Sequence, residues 1–329
     1  MNRNIKLSIA VALSFAGLYF AFAGEDIEKL KENIASVNIY QIYIAVSLLI
    51  FSCLPRALRW RLLIEPFESM PLSHVFSATM IGYLGNGVLV FRLGELLKAY
   101  VIAKDRQITT SQAFGTVIVE RILDLLMVVL IFIITIPWFP FADEKIKFGI
   151  YLSITATFVI IILIFFTSRL NLLEKIAQFK MLSTVHGKKI IRTLNNLLEG
   201  VIIVLKNRNI ASIIFLSLFI WFLYFLVGIC VLKACDISLN YVDIGILLVI
   251  SSLILGIPSL PGAAGTLDVG VKYTLVLIFQ IETTKALSYS IISHAVSYFP
   301  FLKICVVYLL ISNVNIKEIK DRVKVDEKI

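Results

Sequence analysis

The chain has 329 residues, of which 59% are apolar and only 16% are charged, and its mean hydropathy is +0.92. A soluble domain has roughly 25% charged residues, so this composition argues against a water-soluble enzyme, a nucleic-acid binder and a disordered tail. Apolar runs of about twenty residues, in place of alternating runs of about ten, also argue against an outer-membrane barrel. The formal charge is +9, and in a membrane protein such an excess usually marks the cytoplasmic loops.

The first predicted element is the apolar run from Ile5 to Ala23. The tripeptide Ala21-Phe22-Ala23 resembles a signal-peptide cleavage site. The run is nevertheless long for a signal peptide and long enough to cross a bilayer. We therefore favour a retained first span over a cleaved signal peptide.

Five further uninterrupted stretches predict helices that cross the membrane. They run from Tyr40 to Cys53, Ala113 to Trp138, Phe148 to Thr167, Ile210 to Leu232 and Ala286 to Ile311. Two more apolar regions are interrupted, residues 72–101 around Gly85-Asn86-Gly87 and residues 244–279 around Pro258 to Gly262. Each can be a re-entrant hairpin, which we favour, or a pair of short helices.

The predicted fold is all-α: a polytopic integral membrane protein with about six full spans and two broken or re-entrant hairpins, forming a single transmembrane domain over residues 1–329. In this arrangement 22 of the 31 basic residues fall on one side of the membrane and six on the other. The positive-inside rule then places both termini in the cytoplasm, with the chain in the cell membrane. The basic loop 168–209 is cytoplasmic too, and its stretch from Ile190 to Leu205 predicts an interfacial helix unless its charges serve topology alone.

The two broken regions enter from opposite faces in this topology. Opposed broken helices are the arrangement by which inverted-repeat transporters build a site near the middle of the membrane. The alternative is that Gly and Pro merely kink ordinary helices.

Charged residues lie inside predicted spans, where each costs about 2.5–3.5 kcal/mol near the bilayer centre. Glu120 and Asp124 are four residues apart on one helical face, so we expect a cation between them. Arg121 lies about 100° around the helix from Glu120 and cannot easily bridge both carboxylates. The candidates are Arg59, Arg92 and Lys272. A purely structural ion-pair network is the alternative interpretation.

The first broken region combines Asn86, Arg92 and Glu95. A broken helix exposes unpaired N–H groups that can hold a phosphate or carboxylate, and Arg92 would add a bidentate contact. Alternatively, Arg92 simply extends to the headgroup level.

The second broken region has similar features on the opposite face. It carries Pro261, Gly262, Gly265, Asp268 and Lys272. The spacing of Asp268 and Lys272 also fits an ordinary ion pair within a helix.

Arg59-Trp60 suits the lipid–water interface regardless of function. No catalytic triad, metal motif or nucleotide-binding motif is visible, so we predict no catalytic residue, no metal and no cofactor.

Four of these elements together resemble the lysylphosphatidylglycerol synthase transmembrane family, also called the flippase-like domain family. They are Arg59-Trp60, the run from Asn86 through Arg92 to Gly94-Glu95, Glu120-Arg121 with Asp124, and Pro261-Gly262 with Gly265 and Asp268. The resemblance covers nearly the whole chain. This sequence has Val90 where the family pattern usually has Pro, and Asp268 where it usually has Glu.

In the best-known relatives, the multiple peptide resistance factors, this membrane part is described as a lipid flippase attached to a soluble aminoacyl-transferase domain. The resemblance therefore implies the flippase part alone, without lysyl transfer. In our own hypothesis Arg92 binds the headgroup phosphate, and Asn86 shapes its cradle. Glu95, Glu120 and Asp124 would balance or gate the cations. The expected partners are a phospholipid or polyprenyl-linked sugar, and a lipid synthase or glycosyltransferase, with no nucleic acid. The alternatives are an intramembrane transferase or hydrolase, using Glu120 or Asp124 as base on a lipid-linked sugar, and a structural partner of a synthase.

Overall fold

The computed structural model describes residues 3–88, 93–138, 208–256 and 261–311, together with Thr155. Within these residues the chain forms ten α-helices and no strand, which confirms the all-α class there. The helices are α1 (Arg3–Phe22), α2 (Ile27–Ala35), α3 (Ile39–Ile64), α4 (Leu72–Val88), α5 (Gly94–Ala103), α6 (Thr110–Thr135), α7 (Ile210–Ala234), α8 (Tyr241–Leu255), α9 (Thr266–Phe279) and α10 (Thr283–Ile311). Short 3-10 turns follow α6 and precede α9.

Three of the described helices are long and apolar enough to cross a membrane. They are Ile39–Ile64, Ile210–Ala234 and the part of α10 from Thr283 to Val307. Helix α6 is as long as α3, with 26 residues, but it carries three charged side chains. Apart from Thr155, the predicted span from Phe148 to Thr167 lies outside the described residues, and so does the stretch from Ile190 to Leu205. The total number of spans therefore stays a prediction.

Helix α3 extends well past Cys53, where the sequence predicted that the second span ends. It continues through Pro55 to Ile64 because Arg56 and Arg59 meet carboxylates of α6 inside the protein. The interfacial position predicted for Arg59-Trp60 is therefore wrong, since both residues are fully buried. Arg56 and Arg59 consequently do not count as loop charges in the topology.

The first broken region consists of α4 and α5, which pack against each other. Helix α4 continues through Gly85-Asn86-Gly87 to Val88 and α5 begins at Gly94, so the helix is not interrupted at the three predicted residues. Gly85 instead lies inside α4, where it allows the two helices to meet: a Cβ there would lie 2.6 Å from the Cα of Gly94. The lack of a side chain serves close packing at this position.

The second broken region consists of α8 and α9, joined through the turn at Pro261–Ala263. Helices α4, α5, α8 and α9 have 17, 10, 15 and 14 residues. Each is shorter than the roughly 20 residues that a membrane-spanning helix needs. Helix α1 packs on this region, and a Cβ at Gly17 would lie 2.6 Å from the carbonyl oxygen of Gly265.

Eight of the ten described helices fall into two units, α3–α6 and α7–α10, each with a long helix, two short helices and another long helix. Helices α3 and α7 are antiparallel: the N–H of Asn38 donates to the carbonyl of Ala234 at one end, and Asn209 donates to Glu65 at the other. The last helix of each unit packs on the first short helix of the other, α6 on α8 and α10 on α4. The packing between the units is therefore reciprocal.

We predict that Gly85→Ala destabilises the protein because the added methyl group forces α4 and α5 apart. Overpacking of this kind costs about 1–3 kcal/mol. The matched control is Gly228→Ala in α7, where the Cβ would make an ordinary contact of 3.6 Å with Ile244. Thermal unfolding of the purified protein in detergent measures both. Equal melting temperatures for the two variants would show that the α4–α5 contact does not need glycine.

Candidate functional site

A buried ion network connects α6 to α3. Arg59 lies 2.9 Å from Oδ1 of Asp124 and 3.7 Å from Oε1 of Glu120, and its side chain is 0% exposed. It also donates to the hydroxyl of Ser217 at 3.1 Å. The prediction that a cation lies between the two carboxylates of α6 is confirmed, and of the three candidates Arg59 supplies it.

Lys98 of α5 is a second cation in this network, which the sequence analysis did not single out. It pairs with Glu120, and its Nζ lies 3.8 Å from the ring centroid of Trp60. The indole N–H of Trp60 donates to Thr116 at 3.0 Å. A lysine in the middle of the apolar helix α5 was the available signal, because such a charge needs a buried partner.

Arg56 of α3 is the third cation, and it was missed because the sequence placed it in a loop. Its NH2 lies 3.7 Å from Oδ2 of Asp124, and its Nε donates to the hydroxyl of Tyr224 at 2.5 Å. The guanidinium carbon lies 5.8 Å from the ring centroid of Tyr83 and 5.4 Å from that of Tyr224. Aromatic faces attract such a cation, so they help to hold it inside the protein.

Arg121 completes the network. Its NH2 lies 3.3 Å from Oδ2 of Asp124, and its NH1 lies 3.9 Å from Oε1 of Glu95. The expectation that Arg121 does not bridge Glu120 and Asp124 is confirmed, because its second partner is on α5. Asn86 donates to the same oxygen of Glu95 at 3.2 Å, which joins α4 to the network.

The network described here holds four cations against three carboxylates. Its formal charge is therefore +1. Ionised groups are expensive to bury, and attraction between partners offsets that cost only where each charge is compensated. The excess positive charge makes this cluster suited to an additional anion.

One wall of the network faces a cavity of about 810 Å3 that lies between the two units. The charged groups on its wall belong to four residues, Arg56, Glu95, Arg121 and Asp124. Both broken regions contribute to the lining, through Tyr83, Asn86 and Gly87 from the first and through Gly256, Gly262 and Ala263 from the second. The ionised groups are therefore not sealed in fully packed protein.

Asp268 stabilises the start of α9 in the second broken region, which we call the second break. Its carboxylate lies 2.9 Å from Nδ1 of His294 and accepts the N–H of Gly265 at 2.9 Å. Gly262 and Gly265 have φ angles of 72° and 82°, a region that favours glycine. His294 and Gly262 line the cavity, whereas Asp268 lies behind them.

Lys272 lies away from the cavity. It pairs with Glu25 at 2.6 Å and donates to the carbonyl of Ala21 at 2.7 Å. The ion pair between Lys272 and Asp268, which was the alternative interpretation of their spacing, does not form: Lys272 ties α9 to the end of α1, and Asp268 takes His294 as its partner.

Tyr298 of α10 connects the two breaks. Its hydroxyl donates to the carbonyl of Gly87 at 2.9 Å. Its ring lies against Gly262, where a Cβ would approach Cε2 to 2.8 Å. A single side chain thus contacts both broken regions at the cavity wall.

The predicted site residues fall into groups. Asn86, Glu95, Arg121, Asp124 and Gly262 line the cavity, and Arg59 and Glu120 support it from behind. Asp268, Gly265 and Pro261 form the second break. Arg92 lies outside the described residues.

Comparison with protein families supplies the identity. The family described as the lysylphosphatidylglycerol synthase TM region matches residues 7–304. The chain belongs to this family. Neither the curated proteins nor the solved structures gave a match. Membership, together with the apolar helices, makes the chain a multi-pass membrane protein with a role related to membrane lipids.

We predict that Arg59→Gln strongly destabilises the protein, because it leaves two buried carboxylates short of a cation. Breaking a buried pair in this way costs about 3–5 kcal/mol. The control is Arg106→Gln, which removes a partly exposed ion pair with Glu68 worth up to about 1 kcal/mol. Thermal unfolding in detergent compares the two. A small, equal effect of both changes would contradict the structural importance given to Arg59.

Proposed function

We propose that this member of the lysylphosphatidylglycerol synthase TM family is a flippase that moves a lipid between the two leaflets. The observation that supports this function best is the cavity of about 810 Å3 between the units, with a charged wall at the buried network and mostly apolar walls elsewhere, which also carry Ser, Tyr and His side chains. A polar headgroup would pass through the cavity while the acyl chains stay in the bilayer.

An inverted repeat would give such a protein two equivalent gates. Several features favour an inverted repeat in this chain. The first helices of the units are antiparallel, and the packing between units is reciprocal. Each unit also carries Gly, acid and Lys in the same order where its second short helix begins. These are Gly94, Glu95 and Lys98 in one unit and Gly265, Asp268 and Lys272 in the other. Both lysines are buried and pair with an acid outside their own helix.

The short helices of the broken regions favour re-entrant hairpins over complete spans. Helices α5, α8 and α9 have 15 residues or fewer, and such lengths leave part of the bilayer thickness uncovered. In our proposal the first hairpin enters from the cytoplasm and the second from outside. The bias of basic residues supports this orientation, with both termini in the cytoplasm of a cell-membrane protein.

The residue roles in this proposal follow the geometry. Asn86 and Glu95 shape the first half of the path, and the second break forms the other half. Arg92 keeps its predicted role as a headgroup ligand near the start of α5. The lipid is a phospholipid or a polyprenyl-linked sugar, supplied by a partner synthase or glycosyltransferase.

The enzyme alternative has less support. A general base must take up a proton, and neighbouring cations oppose this because they stabilise the ionised carboxylate. Glu120 is 1% exposed and pairs with two cations, and Asp124 contacts three arginines. Carboxylates held in this way balance charge and are poor proton acceptors.

Ser297 allows a direct test, because it lines the cavity and its side chain is small. We predict that Ser297→Trp lowers lipid translocation in proteoliposomes several-fold by filling the path. The matched control is Ser47→Trp, on the exposed face of α3 outside the cavity lining. Fluorescent-lipid accessibility to an external quencher measures translocation, and mass spectrometry measures the lipid. Equal translocation rates for wild type and Ser297→Trp would show that lipid does not pass through the cavity. A change in the mass of the lipid would favour the enzyme.

Tyr298 should restrain the separation of the two breaks. We predict that Tyr298→Phe raises the translocation rate a few-fold, because it removes one hydrogen bond, worth about 0.5–1.5 kcal/mol, that opening must break. Tyr43→Phe, at an exposed position of α3, should leave the rate unchanged. The same proteoliposome assay measures both variants. A rate at or below that of wild type for Tyr298→Phe would show that this bond does not limit opening.

A further inference from the structure

We propose that the charged wall of the cavity is a phosphodiester site in which Arg121 and Arg56 together hold the anion. This inference rests on the proposed function only for the source of the anion, a lipid headgroup. The residues and their geometry stand independently of whether lipid is moved.

Arg121 has unused donors. Within the described residues its two ion contacts, at 3.3 and 3.9 Å, are its only polar contacts, and its Nε is buried without a partner. Charge-assisted hydrogen bonds are shorter, at about 2.7–2.9 Å. Its side chain is 38% exposed, more than that of any other member of the network, and it lines the cavity. A guanidinium in this position can accept a ligand without losing a hydrogen bond.

Arg56 approaches the same point from α3. Its NH2 and the NH2 of Arg121 both face Oδ2 of Asp124, at 3.7 and 3.3 Å, and that oxygen has no hydrogen-bond partner in the described part of the chain. Tyr224 fixes the Nε of Arg56, which leaves its terminal nitrogens available. Two guanidinium groups that converge in this way match the oxygens of a phosphate.

Asp124 can release these two arginines without becoming unpaired. Its other oxygen, Oδ1, keeps Arg59 at 2.9 Å. A phosphate could therefore take the place of Oδ2 between Arg56 and Arg121 at little cost to the network.

The charge of the network favours the same ligand. Four cations and three carboxylates leave one positive charge, which a phosphodiester, with a single negative charge, neutralises. The phosphodiester is the headgroup linkage of phospholipids. Opposite charges attract strongly in a medium of low dielectric constant, so neutralisation counts for more here than in water.

The test is lipid binding to the full-length protein in detergent, measured by native mass spectrometry. We expect wild type to bind dioleoylphosphatidylglycerol at least tenfold more tightly than dioleoylglycerol, which has the same acyl chains and no phosphate. Arg121→Gln and Arg56→Gln should each weaken binding of the phospholipid about tenfold to hundredfold, the range of a lost charge-assisted contact. Binding of dioleoylglycerol should not change.

Two further variants make the result specific. Arg106→Gln removes an arginine outside the cavity and should bind like wild type. Arg121→Lys keeps the charge but loses the two-pronged geometry, so its affinity should lie between those of wild type and Arg121→Gln. Because it retains the charge in the network, it also keeps the test valid if Arg121→Gln fails to fold.

Unchanged phospholipid affinity in folded Arg121 and Arg56 variants, or equal affinity of wild type for the two lipids, overturns the site. Arginine-dependent binding of free glycerophosphoglycerol, the deacylated headgroup, as tight as that of the lipid would support the site and identify a soluble phosphodiester as its ligand. Arginine-dependent binding without translocation in proteoliposomes would leave the site standing and reject the flippase. Translocation by the wild type, together with unchanged lipid binding in the arginine variants, would support the flippase and reject the site.

Discussion

The structure depends on one constraint, the pairing of ionised groups that lie inside a membrane helix bundle. Glu120 and Asp124 would be costly on α6 without cations, and Arg59 meets both from α3 while being fully buried itself. This interaction explains why α3 continues past its apolar segment and why α5, which carries Lys98, packs on α6. Charge compensation therefore determines how the first unit is assembled.

Small residues determine how closely the broken regions approach their neighbours. Gly85 lets α4 meet α5, and Gly17 and Gly265 let α1 meet the second break. Tyr298 is one of the side chains that join the two units, and a cavity remains beside it. The two units are also packed closely along α3 and α7, so the cavity lies beside an extensive interface between them.

The charged network has a structural part and a part that faces the cavity. Arg59, Glu120 and Lys98 lie behind the wall, where each meets an opposite charge. Arg121 and Arg56 face the cavity, and their nearest carboxylate oxygens lie at 3.3 and 3.7 Å, compared with 2.9 Å for Arg59. The question of whether such charges are structural or functional therefore has a separate answer for each residue, and a lipid-related role fits the part that faces the cavity.

The sequence by itself determined the helical membrane class, the two broken regions, the family resemblance and the need for a cation between Glu120 and Asp124. These follow from hydropathy and helical spacing, which are local properties of the chain. Tertiary structure decided which cation it was, added Arg56 and Lys98 to the site, and paired Lys272 with Glu25 and Asp268 with His294. Ion partners on different helices are set by how the helices pack, and the spacing of residues along one helix contains no information about distances to another.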